Sequence, residues 1–140
     1  MTSLLPSDQT AGRAPEAPLV LVVDDSDKNR KLARDALRAG GLRTLEAASG
    51  SEGIARAAEN RPDVILLDLG LPDMDGTDVA RKLREDARTA HIPLVAFSAR
   101  PYVADDDQLS AAGFAGYLEK PIDVGEFPAQ VRSYCRPVSA

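Results

Sequence analysis

Residues 19–25 read LVLVVDD, and residues 64–68 read VILLD. Each is a short apolar run that ends in carboxylates, which is typical of a buried strand in a parallel sheet. If the two strands are neighbours, Asp24, Asp25 and Asp68 meet at one edge of that sheet. Two unit charges about 4 Å apart repel by about 4 kcal/mol at an effective dielectric constant near 20. We therefore expect a cation among them, and Mg²⁺ suits carboxylate oxygens.

Short β-branched runs alternate with longer amphipathic runs along most of the chain. This alternation is typical of βαβ units, whose right-handed crossovers build a parallel sheet. It predicts an α/β protein with a flavodoxin-like fold: a doubly wound, five-stranded parallel sheet of order 2-1-3-4-5 with five helices. In that order the first and third strands are adjacent, and the site lies beyond their carboxyl ends. The strands are predicted at residues 19–23, 43–47, 64–67, 94–97 and 116–118.

The five helices are predicted from their apolar faces and their end signals. The first begins after Ser26 or Asp27, either of which can cap it, and ends at Gly40-Gly41. The next three are expected at about 51–59, 77–85 and 104–112. The residues expected to face the core are Leu32, Ala33, Ala36 and Leu37 in the first helix and Phe127, Val131 and Tyr134 in the fifth.

The composition restricts the class of protein. A chain of 140 residues fits one domain, which we expect at 18–136, between a flexible tail at 1–17 and a short tail at 137–140. A net charge of -5, with three Tyr, three Phe and no Trp, argues against a nucleic-acid partner. No apolar stretch approaches the roughly 18 residues of a membrane span, so no membrane partner is expected.

Two observations bear on the cellular compartment. The first ten residues, MTSLLPSDQT, lack the basic-then-apolar order of a signal peptide. The single cysteine, Cys135, excludes an internal disulfide and fits a reducing compartment. We therefore expect a cytoplasmic protein.

Two further strand ends add a hydroxyl and an ammonium group to the predicted site. Ser98 and Ala99 follow the fourth strand, and Lys120 and Pro121 follow the fifth, which contains Tyr117. In a doubly wound sheet these ends lie at the same edge as the three carboxylates. An anionic group added to such an acidic site would require both a cation and a lysine.

The spacing of these residues is characteristic. Ser98 follows Asp68 by 30 positions, and Lys120 follows Ser98 by 22. With the segment DLGLPDMDG at residues 68–76, this set closely resembles the receiver domain of two-component response regulators, in the CheY-like superfamily. The resemblance covers about residues 19–134.

The resemblance implies a role for each carboxylate. Asp68 would be the phosphoryl acceptor, attacking a phosphohistidine on a histidine kinase or phosphotransfer protein to form an aspartyl phosphate. Asp25, Asp68 and the backbone carbonyl of Gly70 would ligate Mg²⁺, or Mn²⁺ in its place. Asp24 would hold a metal-bound water and help to position the ion.

The resemblance also implies a switch. Lys120 and Ser98 would bind phosphoryl oxygens, supported by Ala99 and Pro121, and Tyr117 would swing inward once Ser98 is drawn toward the phosphate. That movement would change the face made by the fourth helix, fifth strand and fifth helix, where an unknown downstream protein would bind. Beyond Mg²⁺-dependent self-phosphorylation and slow autodephosphorylation, no enzyme activity is expected.

Several versions of this function are open. The segments HIPLVAFSA (91–99) and YLEKPID (117–123) resemble single-domain regulators of the DivK type, which favours a stand-alone response regulator. The segment DDSDKNRKLA (24–33) also resembles receivers of hybrid kinases, so a phosphorelay module or a phosphate sink is the alternative. Residues 73–77, DMDGT, imitate the first motif of aspartate-nucleophile phosphatases. However, the strand ends earlier, at Asp68, which argues against a phosphatase.

Overall fold

The computed structural model describes residues 17–98, 111–119 and 123–135. The predicted fourth helix, apart from residues 111 and 112, and the predicted tails, apart from residue 17, lie outside these ranges. The helix near the C-terminus is therefore numbered α4 below. The elements are β1 (Leu19–Val23), α1 (Asp27–Ala39), β2 (Arg43–Ala47), α2 (Gly50–Asn60), β3 (Val64–Leu67), α3 (Gly76–Glu85), β4 (Leu94–Ser98), β5 (Phe114–Glu119) and α4 (Phe127–Tyr134).

The five strands form one parallel sheet in the order β2-β1-β3-β4-β5. The predicted flavodoxin-like fold and its strand order are thus confirmed. β1 pairs with β3 from Val20 opposite Val64 to Val23 opposite Leu67. β5 is longer than the predicted 116–118, because Phe114 is buried and pairs with Leu94 ahead of a register shift.

Both faces of the sheet are covered, so the strands contribute alternate residues to two cores. This two-sided burial explains why β1 and β3 are apolar at every position. The first core includes Leu21, Val23, Ile65, Leu67, Leu94 and Ala96, with Ala57 from α2 and Val79 and Leu83 from α3. The second includes Val20, Val22, Val64, Leu66, Val95 and Phe97, with Ala33 and Leu37 from α1 and Phe127 and Val131 from α4.

Helix α1 begins where the sequence predicts, but one of its expected core residues is exposed. The Ser26 hydroxyl caps the helix by accepting a hydrogen bond from the Asn29 N–H at 3.2 Å. Ala33, Ala36 and Leu37 are buried, whereas Leu32 is 44% exposed. The prediction for Leu32 was wrong because each helical residue is turned by about 100° from the one before it. Leu32 therefore lies outside the stripe that starts at Ala33.

The end of α1 is set by its two glycines. The Leu42 N–H donates to the Leu37 carbonyl and the Gly41 N–H to the Arg38 carbonyl, both at 3.0 Å, which is a Schellman motif. Gly41 has a φ of 87°, in the left-handed region that residues with a Cβ atom rarely adopt. Gly40 packs so closely on Pro128 that an added Cβ would lie 2.3 Å from the Pro128 Cβ.

We expect Gly41→Ala to lower the free energy of unfolding by about 1 kcal/mol, measured by urea denaturation. The cost is conformational, because the nearest atom to a new Cβ, Nη2 of Arg132, is 3.6 Å away. Gly41→Asn is the matched control and should cost less, because asparagine enters the left-handed region more readily. Equal losses in the two variants would contradict this explanation.

Candidate functional site

The pairing of β1 with β3 brings together the three carboxylates predicted to form the site. The Asp68 N–H donates to the Val23 carbonyl at 2.9 Å, and the Asp24 N–H donates to the Ala47 carbonyl at 3.0 Å. These bonds extend the sheet by one residue at its carboxyl edge. One carboxylate oxygen from each of Asp24, Asp25 and Asp68 lies within 4.8 Å of the other two.

The three carboxylates differ in their exposure. Asp24 is fully buried, Asp68 is half-buried and Asp25 is exposed. Oδ1 of Asp24 accepts a hydrogen bond from the Ser26 N–H at 2.9 Å, which orients the side chain within the β1–α1 turn. A buried carboxylate close to two others is costly without positive charge nearby. The donor set consists only of hard oxygen atoms and therefore fits Mg²⁺.

Asp68 and Gly70 form a short turn beyond β3. The Gly70 N–H donates to Oδ1 of Asp68 at 2.9 Å, and this bond orients the carboxylate. Gly70 itself is exposed, and a Cβ at its position would lie 3.6 Å from Oδ1 of Asp68, which is an ordinary contact. A Cβ atom at position 70 would therefore stand beside the Asp68 carboxylate without a clash.

The rest of this loop is attached to two helices. The Asp73 carboxylate accepts hydrogen bonds from the N–H groups of Gly50, at 2.9 Å, and Ser51, at 3.2 Å, in the first turn of α2. The bond from Gly50 is the main cause that lowers the pKa of the Asp73 carboxyl below its usual value. Asp75 caps α3 by accepting from the Thr77 N–H at 3.1 Å. Asp75 is thus the N-cap of α3, and Asp73 accepts hydrogen bonds from two N–H groups at the start of α2.

Ser98 and Tyr117 lie on the strands next to β3. Ala96 lies opposite Leu67, so Ser98 is two residues further toward the edge that holds Asp68. Tyr117 lies opposite Ala96 on β5, is half-buried and packs against the first core. The side chain of Ser98 and the predicted residues Ala99, Lys120 and Pro121 lie outside the described part of the chain.

The prediction from sequence missed one residue beside the carboxylates. Nη1 of Arg30 donates to the main-chain carbonyl of Asp24 at 2.6 Å, and Nε donates to Oε1 of Glu46 at 3.3 Å. Nη2 also pairs with Oδ1 of Asp27. The sequence signal that could have pointed to Arg30 was its position, one helical turn after the Ser26 cap. A main-chain acceptor, however, leaves no trace in the sequence.

Comparisons with known proteins agree with this geometry. The family model described as response regulator receiver domain matches residues 20–132. The polar-differentiation response regulators DivK of Brucella anthropi and Brucella ovis are each 36% identical over 115 residues, which is 82% of this chain and 94% of each relative.

Solved structures show the same architecture. The chemotaxis response regulator CheY4 of Vibrio cholerae superposes with a TM-score of 0.77 at 26% identity, covering 84% of this chain and 98% of that one. The receiver domain of the sensor histidine kinase PA1611 from Pseudomonas aeruginosa, solved with magnesium coordinated in its active-site cleft, has a TM-score of 0.75. It is 28% identical and covers 84% of this chain and 97% of its own.

This chain therefore belongs to the response regulator receiver domain family. It is a DivK-like receiver, so it is part of two-component signal transduction, and its family implies a histidine kinase or phosphotransfer protein as partner. Receiver domains bind Mg²⁺ at an acidic pocket, and the aspartate cluster provides such a pocket here. Across residues 17–98, 111–119 and 123–135, no helix is long and apolar enough to cross a membrane.

We expect Asp25→Asn to have opposite effects on the metal-free and the metal-loaded protein. Removing one like charge relieves repulsion, so the melting temperature without metal should rise. In the native chain, Mg²⁺ at ten times its dissociation constant should add about 1.4 kcal/mol to the free energy of unfolding, and the variant should lose this gain. Thermal denaturation with EDTA and with Mg²⁺ measures both effects. A variant that keeps the full response to Mg²⁺ would exclude Asp25 as a ligand.

Proposed function

We propose that this chain is a single-domain response regulator that accepts a phosphoryl group on Asp68 from a histidine kinase or phosphotransfer protein. Once phosphorylated, it signals by binding another protein. The observation that carries the proposal is the position of Asp68 at the end of β3, between β1 and β4. Among the described residues, Asp68 is the carboxylate at the end of the strand that lies between β1, which leads to Asp24 and Asp25, and β4, which ends in Ser98.

The transfer follows from the chemistry of these groups. A carboxylate oxygen of Asp68 attacks phosphorus, the new P–O bond forms, and the P–N bond of the phosphohistidine breaks. The electron pair of that bond stays on the imidazole nitrogen, which takes up a proton. The Gly70 N–H holds Oδ1 of Asp68 and so orients the carboxylate. Mg²⁺, or Mn²⁺ in its place, neutralises charge on the phosphoryl oxygens when bound.

The remaining site residues complete the proposal. Asp25, Asp68 and the carbonyl of Gly70 are the metal ligands, and Asp24 holds a metal-bound water. Their support is the close approach of the three carboxylates and the short turn between Asp68 and Gly70.

On the phosphoryl side, Lys120 and Ser98 bind oxygens, Ala99 and Pro121 support them, and Tyr117 is the switch. Its movement changes the face made by the predicted fourth helix, β5 and α4, where the downstream protein binds. Two observations support this arrangement. β4 runs toward the edge that holds Asp68 and ends in Ser98, and Tyr117, opposite Ala96 on β5, packs against the first core.

Two alternatives share the chemistry of Asp68 and differ in output. A phosphate sink would drain a kinase without binding a partner, and a hybrid-kinase receiver would pass the group on within a phosphorelay. The likeness to the receiver domain of the sensor histidine kinase PA1611 supports the hybrid-kinase alternative. Beyond accepting the phosphoryl group and then losing it or passing it on, the protein turns over no separate substrate. Its proposed place is the cytoplasm. A phosphatase is disfavoured, because the carboxylates of Asp73 and Asp75 already accept hydrogen bonds from N–H groups at the starts of two helices.

We expect Asp68→Asn to abolish phosphorylation, because the amide oxygen is a far weaker nucleophile than the carboxylate. The measurement is transfer of labelled phosphoryl groups from a histidine kinase or acetyl phosphate, with Mg²⁺ and with EDTA. Asp78→Asn, an exposed carboxylate on α3, is the matched control and should be labelled like the native chain. Equal labelling of Asp68→Asn and native protein would disprove the assignment of the acceptor.

We expect phosphorylation to alter amide hydrogen exchange in β5 and α4, and Tyr117→Ala to remove that change while leaving Asp68 fully phosphorylated. The reason is that the aromatic ring couples the phosphoryl group to the outer face, so removing it separates modification from response. Tyr117→Phe keeps the ring and should keep the response. If native protein shows no exchange difference in β5 and α4, the phosphate sink is favoured over the switch.

A further inference from the structure

The Arg30 side chain connects three elements beside the acidic site. Its guanidinium group bonds to the main-chain carbonyl of Asp24 in the β1–α1 turn, to Asp27 at the start of α1, and to Glu46 in β2. The side chain is only 14% exposed. A planar guanidinium with three acceptors in place has little freedom left, because its donors have fixed directions.

The charge of Arg30 is already balanced by its neighbours. Asp27 and Glu46 carry two negative charges against its one positive charge. The electrostatic effect of Arg30 on a cation bound nearby is therefore small. The main effect of Arg30 on the site is therefore its hydrogen bond: the 2.6 Å bond to the Asp24 carbonyl holds one particular peptide group in place.

That peptide group joins Asp24 to Asp25. Any rotation of it would move both carboxylates relative to Asp68, which is held separately by β3 and by the Gly70 N–H. Mg²⁺ requires near-ideal octahedral geometry at about 2.0–2.1 Å, so small displacements of its oxygen ligands weaken binding.

We propose that Arg30 is a positioning residue for the divalent-cation site. By holding the main-chain carbonyl of Asp24, it sets the spacing of Asp24 and Asp25 from Asp68. This inference rests on the metal site of the proposed function. A positioning role and a purely electrostatic role predict opposite changes in Mg²⁺ affinity when Arg30 is replaced. If Arg30 acted as a charge, its removal would tighten Mg²⁺ binding, whereas loss of positioning weakens it.

Helix α1 offers a matched control one turn further on. Nη1 of Arg34 binds the other oxygen of Glu46 at 3.1 Å, and its Nε binds Asp35 at 3.3 Å. Arg34 thus shares with Arg30 its charge, its helix and one partner, Glu46. Its hydrogen bonds within the described residues go to those two carboxylates, and the bond to the Asp24 carbonyl belongs to Arg30.

The experiment compares Arg30→Met, Arg30→Lys and Arg34→Met with the native chain by calorimetric titration with Mg²⁺. Both Arg30 variants should bind Mg²⁺ about tenfold more weakly, the lower end of what loss of a supporting contact costs a metal site. Arg30→Lys should not restore Mg²⁺ affinity although it keeps the charge, because one ammonium group cannot bind all three acceptors of the guanidinium in the same directions. It is also the variant to rely on if Arg30→Met does not fold. Arg34→Met should bind like the native chain.

A second measurement separates positioning from general destabilisation. Exchange of the Ser26 amide hydrogen, which is bonded to Oδ1 of Asp24, should be faster in metal-free Arg30→Lys than in Arg34→Met. Native-like or tighter Mg²⁺ binding by the Arg30 variants would overturn the role of Arg30 alone. A native chain that binds no Mg²⁺ would overturn the metal site and this role with it.

Discussion

The parallel pairing of β1 with β3 is the constraint on which the site depends. The eight residues of its four consecutive pairs, Val20 to Val23 and Val64 to Leu67, are almost fully buried. Burying each such side chain contributes about 1.5–3 kcal/mol, so together they far outweigh a repulsion of about 4 kcal/mol between neighbouring carboxylates. A slip of one residue would turn every side chain to the opposite face of the sheet. Packing therefore forces the carboxylates together.

The loops beyond those strands are held by polar contacts rather than by apolar packing alone. Asp73 attaches the β3–α3 loop to the first turn of α2, and Asp75 caps α3. In the β1–α1 turn, the Ser26 N–H binds the side chain of Asp24, and Arg30 binds its main-chain carbonyl. Aspartates are abundant in these two loops, yet only three of them converge. Asp73 and Asp75 instead accept hydrogen bonds from N–H groups at the starts of α2 and α3, which have no partner within their own helix.

The sequence predicted the bounds of the first three strands better than those of the last two. The bounds of β1, β2 and β3 agree with prediction. For β1 and β3 the reason is that an apolar run enclosed by charges and turn residues has clear ends. At the edge strand β5, Phe114 and Ala115 join the sheet ahead of the predicted start, since Phe114 packs into the first core. Leu32 was misplaced on α1 because an apolar residue beside a buried stripe has the same hydropathy as one within it.

The sequence by itself determined the fold class, the strand order and which residue types end each strand, because periodicity is a local property and right-handed crossovers restrict the order of parallel strands. It also indicated the three carboxylates, since parallel strands end at the same edge. Only the tertiary structure decided that Arg30 reaches the carbonyl of Asp24 and that Asp73 reaches the N–H of Gly50. Every residue except proline carries the same main-chain donor and acceptor, so such partners become visible only once the chain has folded.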